Sequence, residues 1–140
     1  MDTTKLLLGT VVGTIVFFLA GWLIYGMLLM DTMQNALTPE GLAVQKEPDL
    51  VLILASNAVL AFLYSYIFEK WAGIRTWMTG ATAGATLGLL MAASIDLSFM
   101  SMTTMYAGMN GLFIDILASA VLSALAGAAI GWVLGYNRKS

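Results

Sequence analysis

The chain alternates four long apolar runs with three short polar segments. The first run, residues 6–30, holds no ionisable side chain except the phenol of Tyr25. About 20 apolar residues in helical form cross a hydrocarbon core roughly 30 Å thick. This run is longer than that, so it tilts or protrudes. Three more runs follow at 50–68, 77–95 and 112–134, the second being the shortest. The pattern predicts an all-α fold, an integral membrane bundle of four transmembrane helices forming one domain over residues 1–140. A cleaved signal peptide matches the first run poorly. Lys5 alone precedes it, and the apolar stretch exceeds the usual h-region of about 7–15 residues, so it reads as a retained helix.

The connectors differ in character. Residues 31–49 (DTMQNALTPEGLAVQKEPD) contain both prolines, Pro39 and Pro48, and four acids. They read as a solvated loop with a short amphipathic turn around 33–37. The second connector, EKWAGIRT, is tight and basic, and the third, about 96–111, is polar with an uncharged centre.

Lys and Arg near span ends set orientation, because the cytoplasmic side retains them. Four spans put Lys5, Lys70, Arg75, Arg138 and Lys139 on one side and leave only Lys46 on the other. Both termini are therefore expected in the cytoplasm. Trp71, Trp77, Trp132 and Tyr136 gather at the same inner interface, as aromatic anchors do. The outer side holds Asp31, Glu40, Glu47, Asp49, Asp96 and Asp115. These acids either keep the outer loops wet or attract cations or a basic partner.

Composition narrows the chemistry. The chain is 60% hydrophobic and 10% charged, against roughly 25% charged residues in soluble domains, and its mean hydropathy is +0.89. It has no His and no Cys. Cys/His zinc sites, His-ligated haem, thiol nucleophiles, disulfides and Ser-His-Asp triads are thereby excluded. A net charge of −2 argues against nucleic acid as a partner. No phosphate-cradling GxxxxGK[ST] is present. No cofactor is expected, and an enzyme is not.

Lipid supplies no hydrophobic force between helices, so association rests on close packing and interhelical hydrogen bonds. Small residues recur every fourth position. The third run reads Thr76, Gly80, Gly84, Gly88, Ala92 and the fourth Ser119, Ser123, Gly127, Gly131, Gly135. Gly9, Gly13 and Gly21 in the first run, and Asn57, Ala61 and Ser65 in the second, follow the same spacing. The third and fourth helices are expected to touch along their length. Whether some stripes serve a homo-oligomer instead stays open at this point.

Ionisable groups inside a membrane are functional candidates. Asp96 stands at the outer end of the third run and Asp115 about one turn inside the fourth. Asn57 and Tyr25 lie about two turns below the outer ends of theirs. These four form a candidate polar site near the outer leaflet. Asp115 is equally well explained as a first-turn acid favoured by the helix dipole. Asp96 has the opposite placement and needs water, a partner such as Asn110, or a cation. Met100, Met102 and Met105 offer thioethers at a spacing that suits Cu(I), although Met also serves as flexible apolar filler.

The segment AGWLIYGMLLMDTM, the glycine-rich third run and FIDILASAVLSALAGAAIGWVLG together resemble a family of small four-helix bacterial inner-membrane proteins, the domain of unknown function numbered seventeen-sixty-one. The resemblance runs over nearly the whole chain. It departs from the family pattern at Ile24, where the aromatic of a Trp-Tyr pair is expected and the Trp stands instead at Trp22. The resemblance implies a four-helix topology in the bacterial inner membrane and brings no catalytic residues with it. The small-residue stripes and the lack of deep charge favour a non-enzymatic accessory or scaffold subunit, or a homo-oligomer, surrounded by membrane lipid. The alternative is a small transporter or channel for a proton, cation or small solute that uses the outer polar site.

Overall fold

A computed structural model of the chain describes residues 3–35, 37–39, 43, 49–102 and 109–136, with the backbone alone for Met33 and Gln34. Helix α1 (Thr3–Gly21) continues as a π-helical stretch, Trp22–Leu28, and is followed by the short α2 (Met30–Asn35). Helix α3 (Leu50–Tyr66) likewise continues as a π-helical stretch, Ile67–Ala72. Helices α4 (Trp77–Met102) and α5 (Met109–Gly135) complete the fold. Four helical units, Thr3–Leu28, Leu50–Ala72, Trp77–Met102 and Met109–Gly135, are long and apolar enough to cross a bilayer. The protein is an all-α, four-helix membrane bundle.

Local signals set the helix ends. The Asp49 carboxylate accepts from the backbone N–H groups of Val51 at 3.0 Å and Leu52 at 3.2 Å, which caps α3. Thr76 Oγ1 accepts from the Thr79 N–H at 3.2 Å and opens α4 in the same way. Between them Gly73 adopts φ 63°, the left-handed conformation that suits glycine. The Ile74 N–H returns to the Phe68 carbonyl at 3.0 Å across that turn.

The most extensive pairing is α4 with α5, and α1 packs on both α3 and α5. The core comprises Phe17 of α1, Ala61, Tyr64 and Phe68 of the second span, Ile74 of the turn, and Ala126, Ile130 and Leu134 of α5. Phe17 and Tyr64 meet edge to face with centroids 5.5 Å apart. The outward positions, among them Leu8, Val11, Ile15, Val51, Leu90, Leu117 and Val121, are large, apolar and exposed. Such a surface suits hydrocarbon.

All four spans differ in bounds from the sequence expectation, the first running Thr3–Leu28 in place of 6–30. The second helix runs past residue 68 to Ala72, because the π-helical stretch turns Glu69 inward where Arg75 meets it at 3.2 Å. The third continues past residue 95 to Met102, and Ser101 there satisfies its hydroxyl on the Ser98 carbonyl at 2.8 Å. The fourth begins at Met109, one turn earlier than residue 112. On the face where α1 starts and α5 ends, Lys5 Nζ donates to the carbonyls of Val133, at 3.3 Å, and Tyr136. A cation at a helix C-terminus is favoured by the dipole. The beginning of α1 and the end of α5 thus share one face of the bundle.

Candidate functional site

Close approach of α4 to α5 positions the polar groups. Gly80, Gly84 and Gly88 are buried and face the other helix. A Cβ on Gly80 would fall on the carbonyl oxygen of Gly127, one on Gly84 on that of Ser123, and one on Gly88 on the Ser123 side chain. Gly127 and Gly131 face the carbonyls of Gly80 and Thr76 in return, and Gly135 faces that of Arg75. Backbones this close leave no room for side chains, so the two helices lock in register. Asp96 of α4 continues the Gly80, Gly84, Gly88 series. The register that seats the glycines therefore also sets Asp96 against α5.

At the end of the bundle away from Lys5, three elements converge. The Tyr25 hydroxyl lies 3.0 Å from Asp115 Oδ1, 2.9 Å from Ser119 Oγ and 3.3 Å from the Asp115 carbonyl. A phenol has one proton. A carboxylate only accepts, so Tyr25 donates to Asp115 and accepts from Ser119. Tyr25 belongs to the π-helical stretch, and π-turns re-aim side chains, often at functional sites. Asp96 is 7% exposed, and its Oδ2 has no hydrogen-bond partner. The register of α4 on α5, with Gly88 against Ser119 and Ser123, brings it opposite the turn of α5 that carries Asp115, and the two acids interact electrostatically. Two carboxylates in contact inside a low dielectric repel strongly, and a shared proton or a bound cation relieves that repulsion.

Of the four residues singled out in the sequence, Tyr25, Asp96 and Asp115 come together. Asn57 does not: it is half-buried on α3 and makes no hydrogen bond to any of them. The roles drawn from the helix dipole are corrected. Asp96 is six residues short of the end of α4, so the C-terminal dipole is distant. Its neighbour is Asp115, and Asn110 is exposed. Asp115 lies beyond the first turn of α5 and is held by Tyr25. Met100 is half-buried and Met102 exposed at the end of α4, while Met105 lies outside the described residues.

Sequence reasoning missed Ser119 as a ligand of the tyrosine, the buried Tyr64 to Ser123 hydrogen bond at 3.0 Å, and the buried Glu69. Ser119 and Ser123 stood on the small-residue stripe with Asp115 four residues earlier, so the signal was present. Glu69 looked like connector because its burial depends on the π-helical stretch. Between the two polar ends the buried positions are mostly apolar, beside Tyr64, Ser65 and Ser123. Ala61, Phe68, Ala126, Ile130 and Leu134 are fully buried there.

Comparison of the chain with family models, with curated proteins and with solved structures finds no match.

Proposed function

We propose that this protein is a small, non-enzymatic transporter of the bacterial inner membrane, with both termini in the cytoplasm. Its binding site for a proton, cation or small solute is the outer cluster of Asp96, Asp115, Tyr25 and Ser119. The observation that carries this reading is that the α4–α5 register sets Asp96, buried and with Oδ2 unpartnered, opposite the Asp115 that Tyr25 holds. Buried acids in membranes mark ion and proton sites. A second support is negative for the scaffold role: the glycine faces of α4 and α5 that suggested partner packing meet each other inside the chain. The close-packed core favours a carrier that changes shape over an open pore.

Proteoliposomes loaded with a pH-sensitive dye, and in parallel with cation-sensitive dyes, test the proposal. Flux above that of empty liposomes, lost in Asp96→Asn and Asp115→Asn at unchanged helical content, supports it. Wild-type flux equal to that of empty liposomes overturns it.

The accessory-subunit or homo-oligomer reading keeps one observation of its own. Residues 50–56 of α3 are all exposed, and the Asn57 amide beside them has no hydrogen bond to another described residue. An amide in hydrocarbon seeks a partner on another helix. Cross-linking from Ser56→Cys in native membranes tests that reading, and an absence of adducts removes it.

A further inference from the structure

We infer that the outer cluster binds a proton shared between the Asp96 and Asp115 carboxyls, with Tyr25 as the residue that positions Asp115 to share it. The inference deepens the transport reading by naming the ligand of the same site.

The donor and acceptor inventory separates a proton from a metal cation. A cation needs lone pairs aimed at it, and hard divalent ions gather about six to eight oxygens. Among the described residues no three acidic side chains meet at one point. The cluster offers two carboxyls and two hydroxyls. The Tyr25 hydrogen points at Asp115 Oδ1 and the Ser119 hydrogen at Tyr25, so the tyrosine presents a donor to the site. Asp115 Oδ1 accepts that hydrogen and keeps a second lone pair. The four carboxyl oxygens are fewer than the roughly six to eight that a hard divalent ion gathers. A single proton suits them, since a carboxylic acid donates one hydrogen bond to a carboxylate.

Asp96 supplies the independent support. Its side chain is more than nine-tenths buried, and Oδ2 has no hydrogen-bond partner. A full negative charge on such an oxygen is strongly disfavoured, whereas a carboxylic acid there donates to Asp115 and leaves a neutral oxygen behind. The titratable groups facing Asp96 are Asp115 from α5 and Tyr25 from the π-helical stretch that follows α1. No Lys or Arg among the described residues pairs with either acid, since the ion pair found is that of Glu69 with Arg75. The balance is one proton gained by the pair on loading and one released on unloading, which raises its net charge by one and then restores it.

Infrared difference spectroscopy on the full-length protein in liposomes reads this proton directly. At neutral pH the wild-type protein should show one protonated-carboxyl C=O band. That band should shift in deuterium oxide and be lost in both Asp96→Asn and Asp115→Asn. In Tyr25→Phe it should move in frequency, because the hydrogen bond to Asp115 is gone; a role in packing alone would leave it in place. Replacing sodium by potassium, or adding calcium, should leave the band unchanged. Absence of the band, its survival in Asp96→Asn, or its disappearance on adding any of these cations would overturn the inference. The outcome is separable from the transport reading. A band with no flux keeps the proton site and removes the transporter, whereas cation-dependent flux without the band does the reverse.

Discussion

Gly80 and Gly127 are reciprocal: a Cβ added to either one lands on the carbonyl oxygen of the other. The α4–α5 interface is therefore closed to alanine from both sides. Gly80→Ala or Gly127→Ala should force the backbones apart and destabilise the protein by about 1–3 kcal/mol or more, the range of overpacking in a tight core. Gly21→Ala is the control. Its Cβ would meet only Leu122 at 3.8 Å, an ordinary contact. Helix propensity then favours the alanine by roughly 0.5–1 kcal/mol. Thermal unfolding in detergent should lower the melting temperature for the first two variants and leave or raise it for the third. Equal losses at Gly21 and Gly80 would contradict the packing account.

Glu69 and Arg75 form the ion pair at the other end of the bundle, at 3.2 Å. The two partners are unequally wet. The Glu69 side chain is 1% exposed and that of Arg75 30%. Arg75 also donates to the carbonyls of Ile74 at 2.8 Å and Phe68 at 3.3 Å, so it ties the turn as well as the acid. Arg75→Leu removes a charge partner and these bonds together. The expected loss is about 1–3 kcal/mol, below the figure for a fully buried pair because water screens the guanidinium. Arg75→Lys should recover only part of it, since a single ammonium cannot reach several acceptors at once. Chemical denaturation in detergent measures both. Full recovery by lysine would mean that charge alone matters here.

The four spans were legible because lipid imposes one rule on every spanning segment, a long apolar run with its backbone satisfied internally. The α4–α5 contact was legible for a related reason: Gly80, Gly84 and Gly88 repeat at the helical period and have no other packing use. Tyr25 and Asp115 were visible as polar exceptions in apolar runs, but their hydrogen bond was not. It depends on the π-helical stretch that re-aims Tyr25, and single-residue departures from α-helical geometry leave no periodic trace. The same cause hid Glu69. Asn57 stood out as clearly as Tyr25 in the sequence and yet lies apart, because depth in the slab says nothing about which helices are neighbours.

Orientation is open to direct measurement, since the native chain has no cysteine. Lys5, Lys70 and Arg75 lie on the side expected to face the cytoplasm. Ala72→Cys is a better reporter there than a substitution at Gly73, whose φ of 63° strains any side chain. An impermeant maleimide applied to intact cells should label Thr38→Cys and leave Ala72→Cys unlabelled until the membrane is opened. Labelling of Ala72→Cys from outside would invert the topology, and the carboxyl cluster would then face the cytoplasm.

Tyr64 and Ser123 test how the buried core treats a polar pair. The tyrosine hydroxyl donates to Ser123 Oγ at 3.0 Å, and both residues are buried. An unsatisfied buried hydroxyl costs about 1–3 kcal/mol, which sets the upper limit for Tyr64→Phe. The serine has an escape, however. Thr10, Thr14, Thr82 and Thr86 all turn their hydroxyls onto the carbonyl four residues earlier, at 2.6–3.0 Å, and Ser123 can donate to the Ser119 carbonyl in the same way. Tyr64→Phe should therefore cost about 1 kcal/mol, near the net value of one hydrogen bond. Ser123→Ala should cost more, because the phenol is too long to find another acceptor among Phe17, Ala126 and Ile130. The double variant Tyr64→Phe/Ser123→Ala removes both polar atoms and should be more stable than Ser123→Ala alone. A double-mutant cycle by thermal unfolding in detergent reads these differences. If the double variant is the least stable of the three, the hydroxyl pair has a further polar neighbour and the core between the two ends is wet.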